Sequence, residues 1–419
     1  MREFYTFLLY LFVPVVLLRL AWRGLRAPDY WRRWPQRFGF IGPVPAKPVI
    51  WIHAVSVGEV QAAVPLVRAL LEHHPGHSLL VTTVTPTGSA RVTALFGQEV
   101  AHGYAPYDLP GAVARFFERA RPRLAIVMET ELWPNLFHHC QQRAVPLLLV
   151  NARLSARSVA GYRRVRSLAA ETLCAVTAIA AQSEADAGRF QSLGANPATV
   201  SVTGNLKFEQ RIRPSLLEQA EVLRRDWGTG RPVWIGASTH EGEDELLLDV
   251  FRQLRKQYAH CLLVLVPRHP ERFEPVAALC RQRGYNTVLR SEHTGYRADT
   301  DVYVADTMGE LPLLYAASDV AFVGGSLVAH GGHNLLEPAA MGIPVVTGPH
   351  VFNFLEIRDL LVAADAAVQV ADGDELLHTV SHWLGDANER HRVGQLGREV
   401  VEKNRGALQA VMSIIERYV

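Results

Sequence analysis

Short apolar runs that alternate with helical patterns are the feature that most constrains the fold of this chain. One run extends from Pro48 to Ala54, Ser56–Glu59 interrupts it, and apolar residues at helical spacing follow from Val60 to Leu71. Strand, loop and helix, repeated in this order, predict parallel sheets with helices on both faces. Ligands of such sheets bind beyond the carboxyl ends of the strands, so the loops there are where functional residues are expected.

The alternation predicts twelve strands in two series. The first series is 48–54, 78–83, 124–128, 146–150, 178–181 and 200–203, and the second is 233–236, 261–266, 286–289, 302–304, 320–323 and 344–346. A chain of 419 residues is long enough for two domains. We therefore predict two doubly wound α/β domains facing a cleft. The predicted segments are 1–37 (apolar, then basic), 38–205 (first domain), 206–214 (linker), 215–404 (second domain) and 405–419 (last helix).

The N-terminal segment predicts a membrane anchor. The apolar run Phe4–Leu18 precedes arginines at positions 19, 23, 26, 32, 33 and 37, which are opposed only by Asp29. As a helix the run covers roughly 22 Å, less than the ~30 Å of a hydrocarbon core. It could span by including Leu20–Trp22, or it could lie on the surface. A cleaved signal is less favoured because no small-x-small site follows, and a buried core helix is the other alternative. The arginines predict a body on the cytoplasmic face, beside anionic lipid.

The net charge argues against nucleic-acid binding, and the positions of the histidine pairs argue against a metal site. The chain has 43 Lys and Arg against 41 Asp and Glu, a net charge of +2, so it lacks the basic surface of a nucleic-acid-binding protein. Pairs with metal-ligand spacing, such as His73 with His77 and His330 with His333, lie where a helix is broken or a loop is Gly-rich. We predict no metal site.

Three loops of the second half predict nucleotide binding. In Val323–Pro338, two Gly-Gly pairs allow close backbone approach, Asn334 is the expected helix N-cap, and Glu337 suits a ribose hydroxyl pair. Arg268, stiffened by flanking prolines, suits bidentate phosphate binding. Gly309 would permit contact with a flat base. The alternatives are that the glycines only form tight turns, and that Arg268 caps a helix or pairs with Glu271.

Acidic residues follow two strands of the first half. Glu59 comes after Gly58 at a helix start, and Glu129 and Glu131 lie in the segment Met128–Asn135. Converging carboxylates and burial raise a carboxyl pKa, whereas a helix N-terminus lowers it, and the sequence leaves the balance open. A first-turn Glu is also common as a purely structural feature. Lys207 is a cation near the linker that could reach the cleft, or a solvated linker lysine.

Five motifs occur in order: His53–Glu59, Met128–Asn135, Gly204–Glu209, Pro267–Phe273 and Gly331–Pro338. Together, behind the N-terminal segment, they resemble the 3-deoxy-D-manno-octulosonic acid (Kdo) transferases over nearly the whole chain. The resemblance implies the GT-B architecture, an acceptor-binding first domain, a donor-binding second domain, and a last helix that packs back on the first. It implies metal-free, cofactor-free transfer of Kdo from CMP-Kdo to a lipid A precursor (lipid IVA) at the inner membrane, with inversion.

The resemblance also implies residue roles. Glu59 matches the general base, and Glu129 and Lys207 match transition-state stabilisers, with Glu131 as the alternative to Glu129. The implied CMP-binding residues are Pro267, Arg268, Met308, Gly309, Glu310, Asn334, Leu335, Leu336 and Glu337. Two other classes would share the second-half loops: a nucleotide-sugar epimerase or hydrolase, and a non-catalytic nucleotide-sugar sensor. The number of Kdo units, the oligomeric state and the orientation of the anchor stay open.

Overall fold

The chain folds into two compact units. The computed structural model describes residues 1–26, 28–42, 44, 47–209, 212–292 and 299–419. Unit one comprises Met1–Glu209 with Arg405–Val419, and unit two comprises Gln210–Asn404. Residues 210 and 211 of the predicted linker lie outside the described residues, whereas 206–209 belong to unit one, in which Leu206 and Phe208 are buried.

Unit one contains a parallel seven-stranded sheet. Its strands are β1 (Val49–His53), β2 (Ser78–Thr83), β3 (Ala101–Tyr104), β4 (Pro122–Met128), β5 (Leu147–Ala152), β6 (Ala178–Ala181) and β7 (Val200–Val202). Its helices are α1 (Arg2–Arg26), α2 (Val57–His73), α3 (Pro86–Phe96), α4 (Pro110–Ala120), α5 (Pro134–Gln142), α6 (Ala156–Arg163), α7 (Arg166–Cys174) and α8 (Glu184–Ser192). The strand order β3-β2-β1-β4-β5-β6-β7 reverses direction between β1 and β4, and such a switch point opens a crevice for ligands.

Unit two repeats the architecture. Its strands are β8 (Val233–Thr239), β9 (Leu262–Pro267), β10 (Thr287–Leu289), β11 (Val302–Val304), β12 (Val320–Val323), β13 (Val345–Thr347) and β14 (Ala367–Gln369). Its helices are α9 (Pro214–Trp227), α10 (Glu243–Gln257), α11 (Phe273–Gln282), α12 (Leu311–Ala316), α13 (Leu336–Ala340), α14 (Leu355–Ala363), α15 (Gly373–Gly385) and α16 (Ala387–Lys403). The strands are parallel in the order β10-β11-β9-β8-β12-β13-β14, so this switch point lies between β8 and β12.

Each sheet therefore has one strand more than the six predicted, and the two α/β sheets are confirmed. The additional strands, β3 and β14, lie at sheet edges. Edge strands pair on one side only and are partly exposed here, so they lack the continuous apolar run that identifies a central strand.

Helices cover both faces of the first sheet, and its central strands β1 and β5 are accordingly buried along their whole length. In β1, Ile50 and Ile52 enter one buried cluster, while Val49 and Trp51 enter the cluster on the opposite face. Alternate side chains of a strand point to opposite faces, which accounts for this division.

The last helix, α17 (Ala407–Ile415), belongs to unit one. Its apolar residues Ala407, Val411 and Ile415 join the same buried cluster as Leu66 of α2. The carboxylate of Glu209 accepts hydrogen bonds from the N–H groups at the start of this helix, at 2.7 Å from Gly406 and 3.1 Å from Leu408.

Helix α1 is long and apolar enough to cross a membrane, with a mean hydropathy of 2.0 over its best 18-residue window. The prediction that the arginines behind this helix lie beside anionic lipid is wrong for Arg37. Arg37 is buried and its guanidinium stacks 4.1 Å from the centroid of the Tyr104 ring, so it does not face lipid. The side chain of Arg26 lies outside the described part of the chain.

Candidate active site

The switch point of unit one holds a carboxylate that accepts two hydrogen bonds. Ser56 caps α2, its hydroxyl oxygen accepting from the N–H of Glu59 at 3.3 Å. In return, Glu59 Oε1 accepts from the Ser56 hydroxyl at 3.1 Å and Oε2 accepts from the Val55 N–H at 2.8 Å. This reciprocal arrangement is a variant of the capping box, in which the backbone donor to the glutamate is the residue before the N-cap. The first-turn role considered from the sequence is therefore real, and it also orients Glu59.

Burial decides the ionisation of Glu59. Removal from water raises its pKa, repulsion from Glu129 and Glu131 adds to the increase, and the resulting pKa is about 8 instead of 4.5. The hydrogen bonds from Val55 and Ser56 oppose it but are outweighed. The sequence alone did not decide whether the Glu59 pKa would be raised or lowered. In the structure, Glu129 and Glu131 of the second acidic loop are near enough to contribute to the increase.

Of the other two acids, Glu129 is paired with a cation. Glu129 Oε1 lies 3.3 Å from Lys207 Nζ, and its backbone adopts a left-handed conformation with φ of 56°. Such a conformation is unfavourable for a residue with a Cβ, and it tends to occur at functional sites. Glu131 instead accepts a hydrogen bond from the Trp133 indole at 2.7 Å, and burial raises its pKa.

A network of buried amides positions Lys207. Asn205 Oδ1 accepts from the Lys207 N–H at 3.0 Å, and its amide group donates to Gln182 Oε1 at 2.9 Å. Asn151 Oδ1, on β5, accepts from the Leu206 N–H at 2.9 Å. Lys207 is therefore held by the ends of two strands and is not a solvated linker lysine.

Unit two presents a cation at the carboxyl end of β9, the strand that neighbours β8. Arg268 follows β9, is half-buried, and its backbone N–H donates to Thr239 at 3.0 Å. Within the described residues its guanidinium has no carboxylate partner, which argues against the pairing with Glu271 considered from the sequence. An unneutralised guanidinium is suited to bind phosphate.

Histidines surround this arginine. His240 and His333 contact each other through their Nε2 atoms at 2.9 Å, and His330 stacks on His240 with ring centroids 4.1 Å apart. Burial lowers the pKa of His240 to about 4 and of His333 to about 3, and neighbouring positive groups, including Arg268, add to the decrease. Both rings are therefore neutral at neutral pH, and Arg268 supplies the charge of this cluster.

The Gly-rich loop after β12 is fixed by a buried carboxylate that sequence reasoning missed. Glu243, fully buried at the start of α10, accepts from the N–H groups of His240, Gly325, Ser326 and Leu327 at 2.7–3.0 Å. A Cβ at Gly324 would lie 2.8 Å from the Ser238 carbonyl oxygen. The first Gly-Gly pair is therefore required by the packing of the loop itself.

The predicted ribose-binding segment is already ordered internally. Asn334 does not occupy the N-cap position as predicted, because α13 begins at Leu336 after an N-cap at Leu335. Its Oδ1 nevertheless accepts from the Leu336 N–H at 3.1 Å, and its Nδ2 donates to Glu337 Oε1 at 3.1 Å. Helix α13 has five residues, so its dipole is weaker than the sequence suggested.

The remaining predicted loop carries an ion pair. Met308 is exposed, Gly309 has φ of 89°, and Glu310 binds Arg290 with its closest oxygen at 2.8 Å. Pro267 ends β9 and is buried. Over the ranges that the structure describes, no group of three or more His, Cys, Asp or Glu could hold a metal ion.

The comparisons with known proteins begin with the fold. A UDP-GlcNAc 2-epimerase from Neisseria meningitidis aligns with a TM-score of 0.59 at 15% identity, covering 88% of this chain and all of that one. The model for glycosyl transferases group 1 matches residues 234–400. With the two Rossmann-like sheets, these matches define the class as a glycosyltransferase of the GT-B fold.

The family follows from the sequence relatives. The model described as 3-deoxy-D-manno-octulosonic-acid transferase matches residues 32–210. The transferase of that name from Haemophilus influenzae is 44% identical, covering 100% of this chain and 98% of its own length. The one from Bordetella pertussis is 37% identical, covering 99% of both. The chain belongs to the Kdo transferase family, as its five ordered motifs predicted.

Proposed function

We propose that this transferase moves Kdo from CMP-Kdo to a lipid A precursor, lipid IVA, with inversion at the anomeric carbon and without a metal ion. The observation that carries the proposal is the Glu59 carboxylate, buried at the switch point of unit one and oriented by Ser56 and Val55. A buried carboxylate with a pKa of about 8 is suited to accept a proton near neutral pH.

The proposed reaction is a single displacement. Glu59 takes the proton of the acceptor hydroxyl, and the hydroxyl oxygen forms a bond to the anomeric carbon of Kdo. The bond from that carbon to the CMP phosphate breaks on the opposite face, so the configuration inverts. One carboxylate that never bonds to the sugar is sufficient for this route.

Charge develops on the departing phosphate, and Arg268 is the group assigned to it. A guanidinium that lacks a carboxylate partner within the described residues can direct its donors to the phosphate oxygens as their charge grows. We assign the rest of the CMP site to the stretches that the family resemblance indicates: Pro267, Met308–Glu310 and Asn334–Glu337.

Lys207 is assigned to the carboxylate of Kdo, which lies beside the reacting carbon. Glu129 supports this role because it holds the ammonium group at 3.3 Å. We therefore favour Glu129 over Glu131 as the second acidic residue of the site, since Glu131 contacts the Trp133 indole instead. Unit one then supplies the acceptor side and the contact to the Kdo carboxylate, and unit two binds the CMP of the donor.

We propose the cytoplasmic face of the inner membrane as the location. The acceptor is an anionic lipid, and α1 carries the apolar surface that membrane attachment requires. The exposed arginines Arg19, Arg23 and Arg32 would face anionic headgroups.

The test is mass spectrometry of the full-length protein incubated with lipid IVA and freshly generated CMP-Kdo, with EDTA added after the donor is made. We expect the lipid to gain one or more Kdo residues. Free Kdo without a lipid product would indicate a hydrolase, and unchanged CMP-Kdo that still binds would indicate a sensor. Loss of transfer after EDTA would contradict the metal-free step. NMR of the product linkage against the donor tests inversion.

A further inference from the structure

Both ends of α1 are bound to unit one. At the start of the helix, the Tyr5 hydroxyl donates to Asp108 Oδ2 at 3.0 Å, and the Thr6 hydroxyl donates to Asn135 Oδ1 at 3.0 Å. Asp108 follows β3 and Asn135 is the second residue of α5, so this end of the helix sits at the carboxyl edge of the first sheet.

The segment that follows the C-terminal end of α1 connects the helix to β3 of unit one. The Trp31 indole donates to the Ala21 carbonyl at 3.2 Å, and a Cβ at Gly24 would collide with that indole. A few residues further on, Gln36 accepts from the Tyr104 N–H at 3.0 Å. Tyr104 is the last residue of β3, so this attachment also lies at the carboxyl edge.

The middle of the helix borders the body too. Val13 and Pro14 line a groove of about 400 Å³ with Phe38, Leu109 and Ala112. A helix of 25 residues is roughly 37 Å long. The sheet region of unit one therefore borders α1 at its start and middle, and the segment that packs on the end of α1 returns to β3 through Gln36.

The face of α1 that points away from the body is a continuous apolar stripe. Its residues recur every three or four positions, which places them on one side of the helix, and each is at least 53% exposed. We call this the outer stripe: Phe4, Phe7, Leu11, Val15, Leu18, Trp22 and Leu25. The less exposed residues, such as Arg2, Thr6, Leu9, Val13 and Leu20, lie between these positions.

A spanning helix has its ends on opposite faces of a bilayer, about 30 Å apart. A globular unit with charged and polar surface cannot accompany both ends, because its groups would have to enter hydrocarbon. We therefore propose that α1 does not cross the membrane but lies in its interface, with the outer stripe in the acyl chains. This deepens the membrane location proposed above, on which it rests.

The occupant of the stripe is a bilayer with anionic headgroups rather than a protein. The stripe extends along the whole helix, Trp31 and Trp34 in the segment that follows are also exposed, and so are Arg19, Arg23 and Arg32. Apolar residues bordered by arginine and tryptophan are typical of interfacial helices, which bury their apolar face about 5–10 Å into the boundary. Because Asn135 follows the acidic loop, this orientation sets Glu129 and Glu131 close to the lipid surface.

Depth measurements distinguish the two orientations. Phe4→Cys, Leu11→Cys, Leu18→Cys and Leu25→Cys are each spin-labelled in the full chain, with exposed Cys174 changed to Ser, on phosphatidylethanolamine and phosphatidylglycerol vesicles. Relaxation by oxygen and by a water-soluble nickel chelate gives the depth of each label. An interfacial helix places all four at one depth. A spanning helix places positions 11 and 18 roughly 10 Å deeper than positions 4 and 25, from a rise of 1.5 Å per residue, which would overturn the proposal.

Topology in cell membranes provides a second readout. Glu3→Cys is compared with native Cys174, both exposed, using a membrane-impermeant maleimide. We expect both thiols to react in inverted inner-membrane vesicles and neither in intact spheroplasts. Reaction of position 3 alone in spheroplasts, or a protein that does not sediment with membranes, would refute the interfacial helix. Kdo transfer is assayed in the same vesicles, so a failure of the proposed reaction is recognised separately from a failure of the helix orientation.

Discussion

Replacing Glu59 by Gln should remove turnover and, at alkaline pH, stabilise the fold relative to the unchanged protein. Glutamine retains one acceptor oxygen for the Val55 or Ser56 donor but cannot take a proton from the acceptor hydroxyl. General bases contribute about 10²–10⁴ in rate. We therefore expect transfer to fall by that factor while CMP-Kdo binding stays within about threefold, since the CMP contacts are assigned to unit two and the Kdo carboxylate to Lys207.

The stability effect follows from the pKa of Glu59, which burial raises from 4.5 to about 8. Between these values the unfolded chain has released its proton while the folded chain retains it, so wild-type stability falls as pH rises through this window. At about 1.4 kcal/mol per pH unit, the full window corresponds to at most about 5 kcal/mol. Glutamine does not titrate, so Glu59→Gln should gain a few kcal/mol relative to wild type between pH 5 and pH 8.

The assay is urea unfolding of both proteins at pH 5 and pH 8 in one detergent, alongside the pH dependence of kcat/KM. Glu184→Gln, which changes an exposed first-turn glutamate of α8, is the matched control and should show no such pH-dependent gain. For the wild type, kcat/KM should rise about tenfold per pH unit up to about pH 8 and then level off. Turnover of Glu59→Gln within tenfold of wild type would reject Glu59 as the base, and a stability difference independent of pH would reject the raised pKa.

Three further predictions concern the surrounding groups. Arg268→Met should weaken CMP binding about 10–150-fold, the 1.5–3 kcal/mol of a charged hydrogen bond, with an unchanged melting temperature; calorimetric titration that finds unaltered affinity would contradict this. Ser56→Ala should cost about 1 kcal/mol of stability. It should also move the pH profile of kcat/KM to higher pH, because the Ser56 hydrogen bond lowers the Glu59 pKa; a shift of the profile to lower pH would contradict this. Glu243→Gln should destabilise unit two by about 1–3 kcal/mol, because an amide N–H₂ would face backbone N–H donors; unfolding by urea at the wild-type midpoint would refute it.

The sequence predicted the central strands well because they are buried on both faces and read as continuous apolar runs. It missed β3, whose four residues are Ala-His-Gly-Tyr, and β14, whose three are Ala-Val-Gln. These edge strands form because a neighbouring strand offers its free hydrogen-bonding groups. That neighbour is remote in sequence, so no local pattern indicates the pairing.

For the site, the position of residues at strand ends was predictable but their partners were not. Glu59 and Glu129 were expected to converge, and in the structure Glu129 is near enough to help raise the Glu59 pKa. Glu129 and Lys207 form an ion pair although they are 78 positions apart in the sequence. No local sequence pattern indicates such a contact. Glu243 stands among Glu241, Asp244 and Glu245. Glu243 and Asp244 are both buried, and no local signal distinguishes Glu243 as the acid that binds the Gly-rich loop.

Ser56 shows why local capping and catalysis are not alternatives at this site. Ser56 accepts from the Glu59 N–H, and Glu59 accepts from the Ser56 hydroxyl and from the Val55 N–H, which is a variant of the Ser-x-x-Glu capping box. An isolated box would leave its glutamate solvated and ionised. Here the box lies at a switch point beside two more carboxylates, so burial raises the Glu59 pKa to about 8 while the cap hydrogen bonds limit the increase. The contacts that begin α2 thus also hold the proposed base in one orientation and keep its pKa near the pH at which a base must act.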